Sequence, residues 1–184
     1  MSTRILVAGV GNIFFTDDGF GCEVARRLAE RALPDGVTVA DFGIKGVHLA
    51  YELLEGYDVA ILVDAAPCGG EPGDLYLIEP KLEEIEESPL VRAASDGEQA
   101  LVDAHGLEPD AIFGMVKALG GTVARALVVG CEPESTEDGI GLTEVVEAAV
   151  EPAIARLIDI IERVGSTREL ALSQLAKKQA GTTT

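Results

Sequence analysis

The chain has no tryptophan and only three tyrosines and five phenylalanines among its 184 residues. It therefore offers no aromatic platform on which single-stranded nucleic acid could stack. Positive charge is scarce too: 14 Lys and Arg stand against 32 Asp and Glu, a formal net charge of −18. Such a surface repels phosphate backbones and anionic lipid, so neither nucleic acid nor a membrane surface is expected as a partner. A positively charged or metal-carrying partner fits the sign better. Three cysteines, Cys22, Cys68 and Cys131, lie far apart without a CxxC pair, which excludes a disulfide framework and a thiolate zinc site. Each is expected to be a small buried hydrophobe. No run of 18 apolar residues occurs, and the apolar stretch at 5–10 is too short for a signal-peptide core. The chain reads as cytosolic.

What is present is ample: 47% of the residues are apolar and 25% charged, which suits one globular domain with a sizeable core. Residues 1–165 are expected to form that domain, and 166–184 a tail, partly helical or disordered. Residues 4–10 are almost all apolar and end in Gly9-Val10-Gly11-Asn12, as in a strand buried on both faces. Residues 19–33 place Phe20, Val24, Leu28 and Ala32 at four-residue spacing opposite Glu23, Arg26, Arg27 and Glu30, which predicts an amphipathic helix. Asp17 or Asp18 is placed to cap it. The alternation continues with strands at 37–42, 58–63, 73–78 and 125–129 and helices at 47–54 and 108–119. A long helix from Thr143 carries Val146, Val150, Ile154, Leu157 and Ile161 on one face, with Pro152 inside it and Gly165 as its expected stop. Alternating strands and helices predict a three-layer α/β sandwich, a mostly parallel twisted sheet of about five strands covered on both faces. Only residues 79–106 break the pattern, and a long irregular connection in a compact domain is more often functional than idle.

Ligands in open α/β sheets bind beyond the C-terminal strand ends, and three polar features fall there. The segment from Asn12 to Gly19 follows the first strand, Asp64 ends the third, and His105 closes the irregular stretch. A dinucleotide site is disfavoured. Gly9-Val10-Gly11-Asn12-Ile13-Phe14 puts Phe where the third glycine belongs, and Asp17 and Asp18 where a pyrophosphate would lie. Asp18, Asp64 and His105 together make two hard oxygen ligands and one imidazole, too far apart for a local motif but able to converge over the strand ends. That set suits nickel, zinc, iron or manganese with coordination positions left open. Each residue also has a plain alternative: Asp18 as a cap, Asp64 as a turn residue, His105 as an ordinary packed or exposed histidine. His48 competes with His105 but sits in a helical run where partial burial is expected. Glu134 and Ser135, after Pro133, could line the same edge or simply form a turn.

The run Gly9-Val10-Gly11-Asn12-Ile13-Phe14-Phe15-Thr16-Asp17-Asp18-Gly19-Phe20-Gly21 resembles the N-terminal signature of the NiFe hydrogenase maturation endopeptidases. Val63-Asp64-Ala65, the His-Gly-Leu segment at 105–107, and Val129-Gly130 through Pro133-Glu134-Ser135 extend the resemblance over residues 4–162. It implies a five-stranded α/β sandwich and a nickel site made by Asp18, Asp64 and His105, which would be both metal-binding and catalytic. Asn12, Asp17, Gly43, Gly46 and Glu134 become substrate-cleft candidates. The activity implied is removal of a C-terminal peptide from the hydrogenase large-subunit precursor after nickel insertion, with nickel carried by that precursor and no organic cofactor. Some relatives have Glu where Asp18 stands, and Gly43-Ile44-Lys45-Gly46 lacks the Thr that relatives often carry between such glycines. Neither a Ser-His-Asp order nor an HExxH helix is present, so the nucleophile stays open, with Asp17, Asp18 or Asp64 able to act as base. Two other readings also stay open: a zinc or manganese hydrolase of small substrates, and a non-enzymatic nickel chaperone.

Overall fold

The computed structural model describes residues 3–87 and 108–180, with side-chain surroundings described as far as residue 166. Five strands, β1 (Ile5–Val10), β2 (Val37–Gly43), β3 (Val59–Ala65), β4 (Leu75–Ile78) and β5 (Arg125–Cys131), form one sheet in the order β2-β1-β3-β5-β4. β1 pairs in parallel with β2 and β3, and β3 with β5, while β4 returns antiparallel along β5 at the edge. The central strands are buried on both faces, which is why they appear in the sequence as unbroken apolar runs.

Among the described residues four α-helices cover the sheet: α1 (Phe20–Leu28), α2 (Gly46–Leu53), α3 (Pro109–Ala118) and α4 (Glu144–Ala180). Alternate strand residues divide between two apolar layers. Ile5, Val7, Ile61 and Val63 meet Phe20, Val24 and Leu28 of α1 and Val146, Val150 and Leu157 of α4. Leu6, Ala8 and Leu62 meet Leu49 and Leu53 of α2 and Ile112 and Val116 of α3. Each such side chain contributes on the order of 1.5–3 kcal/mol by leaving water, so both faces of the sheet are needed to hold its strand ends in place. The sandwich expected from the sequence is the fold observed.

Four boundaries differ from expectation. α1 stops at Leu28, and residues 29–31 close it with short-range turn bonds. Neither Asp17 nor Asp18 caps α1. Gly19 holds the N-cap position, and both aspartates belong to a 3-10 turn, Thr16–Gly19, that leads into the helix. β4 starts at Leu75, since Gly73 is in a left-handed conformation (φ +87°) incompatible with the strand. α4 runs through Gly165 to Ala180 instead of stopping there. Glycine inside a helix costs only about 1 kcal/mol and lacks the left-handed turn that a stop requires.

Candidate active site

β1 leads through α1 back to β2 on one side, whereas β3 leads away toward β4 and β5 on the other. The divergence opens a crevice between the C-terminal ends of β1 and β3, where such sheets bind ligands. Asp18 enters it from the 3-10 turn after β1, and Asp64 from the last turn of β3. Both line one cleft of about 250 Å³, with Gly43, Ile44, Gly46 and the first-turn neighbour Glu108 on its other walls.

Two glycines allow this approach. Gly11 has φ +133°, and a Cβ there would lie 1.8 Å from the Asp18 carbonyl oxygen and 3.8 Å from Asp64 Oδ1. Gly21, at the start of α1, packs against strand ends so tightly that a Cβ would meet the Val63 carbonyl at 2.0 Å and the Val10 carbonyl at 2.3 Å. Only glycine permits these backbones to close on one another, and the closure brings the two aspartates to a common cleft.

The electrostatics follow from that closure. Asp18 Oδ2 accepts the Asn12 N–H at 2.7 Å, which fixes its carboxylate across the turn. Asp64 is half-buried, and its carboxyl is pushed up to about 8, first by burial, then by the negative charges of Asp18 and Glu108, against a lowering bond from the Ala65 backbone. None of the described residues lining the cleft is basic, so the pair faces the opening uncompensated. Such an arrangement takes a cation or a proton. Among the described residues no group of three His, Cys, Asp or Glu side chains stands ready to hold a metal. The carboxylates supply two donors, and His105 lies outside the described residues.

The other candidates separate. Gly43 and Gly46 line the cleft, and Ile44 sits between them; Lys45 is exposed. Asp17 does not reach the cleft. Its side chain is 0% exposed and accepts the Glu134 and Ser135 N–H groups and both the N–H and hydroxyl of Thr143, at 2.7–3.0 Å. It therefore pins the turn carrying Asp18 to residues 134–143, a structural task that leaves no lone pair for a general base. Asn12 spends its side-chain oxygen on the Phe14 N–H at 3.0 Å, a local turn, and reaches the site only through its backbone. Glu134 is exposed and does not line the cleft. His48 is exposed on α2 rather than partly buried, and is likewise not a cleft residue.

Cys22 and Cys131 are buried as expected, while Cys68 is exposed. The Cys22 thiol points at the Gly11 carbonyl (3.6 Å), and burial, then Asp41, pushes it far above its ordinary value. Burial pushes Cys131 up to about 12. Neither is a thiolate nucleophile at neutral pH.

Two acidic residues escaped the sequence reading. Glu108 looked like an ordinary helix start, yet α3 packs against α2 and brings it to the cleft wall; a carboxylate just before a helix that faces strand ends is the one available signal. Glu132, not singled out by the sequence, is only 7% exposed and points inward. A glutamate directly before Pro133 at a buried strand end was the hint.

The model of the HycI hydrogenase maturation protease family matches residues 22–160. A putative hydrogenase maturation protease of Methanocaldococcus jannaschii is 36% identical over 163 residues, 86% of this chain and 97% of that protein. The hydrogenase maturating endopeptidase HybD from E. coli superposes with a TM-score of 0.66 at 28% identity, over 89% of this chain and 94% of that one. The hydrogenase 2 maturation peptidase of a Thaumarchaeota archaeon gives 0.64 at 30% identity, covering 87% and 99%. Family model, sequence identity and overall fold agree, and the chain belongs to the hydrogenase maturation protease family, whose members hydrolyse peptide bonds.

Proposed function

We propose that this protease removes the C-terminal peptide of a NiFe hydrogenase large-subunit precursor in the cytosol after nickel has been inserted, so that cleavage serves as a checkpoint on metal loading. The observation that supports this most strongly is the uncompensated pair Asp18 and Asp64 at one cleft, with burial and mutual charge holding a proton on Asp64 to about pH 8. A divalent ion arriving with the precursor displaces that proton and neutralises both carboxylates, and His105 completes an O/O/N donor set that leaves positions for the precursor's own ligands. The site thus engages nickel in company with its substrate. Hydrolysis adds water across the scissile bond and needs a base for the water and a proton for the departing amine. Asp18 and Asp64 are the acid–base candidates at the cleft, and nickel held there would polarise the scissile carbonyl as a Lewis acid.

Mixing the purified protein with nickel-loaded and nickel-free precursor, and weighing the products by mass spectrometry, tests the proposal. Cleavage confined to loaded precursor supports it. Cleavage of both forms removes the checkpoint and favours a general metal hydrolase, and binding without cleavage favours a nickel chaperone.

A further inference from the structure

Directly beyond Asp64 the chain makes the remaining wall of the cleft with Ala65 and Pro67 before looping through residues 68–73 to β4. This loop has almost no apolar anchorage, since residues 67–72 are exposed. Its first half, residues 68–70, is held instead by one carboxylate. Glu132 Oε2 accepts the N–H groups of Cys68 (2.8 Å), Gly69 (3.1 Å) and Gly70 (3.2 Å) and the Tyr76 hydroxyl (2.7 Å). Three successive backbone N–H groups converging on one oxygen form an anion-binding nest, and here the anion comes from the protein. Backbone bonds frame the nest on each side: Ala66 N–H to the Cys131 carbonyl, Gly73 N–H to the Glu132 carbonyl, and Glu132 N–H to the Asp74 carbonyl, each 2.8 Å. These bonds hold the loop's two ends, and Asp74 Oδ2 accepts the Glu71 N–H at 2.9 Å, so it is the turn at residues 68–70 that depends on Glu132. The Tyr76 hydroxyl, first through its bond to Glu132, is pushed up to about 12 and stays a donor, while the same bond and the backbone donors hold the Glu132 carboxyl below its ordinary range.

We propose that Glu132 is a positioning residue for the peptidase reaction: from just beyond β5 it holds Cys68–Gly70 and thereby seats the adjoining Pro67, the outer part of the wall against which the precursor's C-terminal segment lies beside Asp64. This rests on the proposed function for the identity of the segment. Glu132 touches neither substrate nor reacting atoms. Its effect passes through the loop, so it belongs in substrate affinity more than in the chemical step.

Cys68 provides a direct readout, because it is exposed within the loop while Cys22 and Cys131 are buried. A nitroxide attached to Cys68 of the full-length protein, in the native background and in Glu132→Ala, Glu132→Gln and Tyr76→Phe, reports the order of the wall by its spectral line shape. The same four proteins are assayed for KM and kcat on nickel-loaded precursor below their unfolding midpoints. Losing a charge-assisted bond costs enough for about a tenfold change. Glu132→Ala is therefore expected to show a mobile spectral component and a KM raised about tenfold with kcat changed less than about twofold, Glu132→Gln a partial return toward the native values, and Tyr76→Phe a smaller change of the same kind. Should Glu132→Ala not fold, Tyr76→Phe, which removes one bond of the four, carries the decision. An immobile label in the variants, or a mobile label with unchanged KM, overturns the proposal. A native protein that leaves loaded precursor intact contradicts the proposed function instead, and the nitroxide spectra then still decide whether Glu132 holds the wall.

Discussion

Asp18 raises the proton affinity of Asp64. The two carboxylates come from different strand ends and face one cleft. Burial alone favours the neutral acid at Asp64, and the neighbouring charge adds to it. In the unfolded chain Asp64 loses its proton near its ordinary value of 3.8, whereas in the fold it keeps it to about pH 8. Between those values the folded state holds the extra proton, so this group's contribution to stability declines as pH rises from about 4 to about 8 and is constant above. Asp64→Asn should remove that decline. Urea unfolding at pH 5 and pH 8 is expected to show the variant gaining roughly 1–3 kcal/mol over the native protein at pH 8, less than the full shift because the cleft is open to solvent, and little at pH 5. The same variant should lose processing of the precursor.

Gly11→Ala should be damaging in a different way. A Cβ at this left-handed position would press on the Asp18 carbonyl at 1.8 Å, so the turn must move and carry Asp18 with it. The expected outcome is a loss of about 2–4 kcal/mol in stability, read by thermal unfolding, and at least a hundredfold fall in cleavage of loaded precursor at a temperature where the variant is folded.

Much of this arrangement is legible in the sequence. β1 and β3 stand out because strands covered on both faces cannot alternate with polar residues, and the aspartates at their ends follow from where such strands stop. Asp17 and Asp18 are indistinguishable there, since adjacent residues in a 3-10 turn diverge and only the fold says which one meets Thr143, 126 residues away. Glu132 was illegible for the same reason, its donors lying 56–64 residues off. The end of α4 was misread because a single glycine penalises a helix too weakly to end it. His105 falls outside the described residues, so its part in the site rests on its position in the sequence and on the resemblance.

Asp17 and Asp18 should therefore respond oppositely to substitution. Asp17→Ala strips the acceptor from three part-buried backbone N–H groups and the Thr143 hydroxyl, and is expected to cost about 3 kcal/mol, lowering the thermal midpoint by about 10 °C. Asp18→Ala should leave the midpoint within a few degrees while abolishing cleavage. Calorimetry on both variants beside the processing assay separates anchor from ligand.

The histidines give a parallel contrast. His105→Ala should abolish processing with the circular dichroism spectrum unchanged, while His48→Ala, exposed on α2, should keep nearly full activity. The reverse pattern would move the imidazole ligand to position 48.

Asp18, Asp64 and His105 are proposed to grasp the precursor's nickel together. Nickel K-edge X-ray absorption tests this, recorded on loaded precursor alone and on its complex with the native protein, frozen before turnover. Binding of the protein is expected to add oxygen and nitrogen donors to the nickel shell, and the Asp64→Asn complex to show fewer of them. A nickel shell identical in free precursor and native complex would contradict direct ligation.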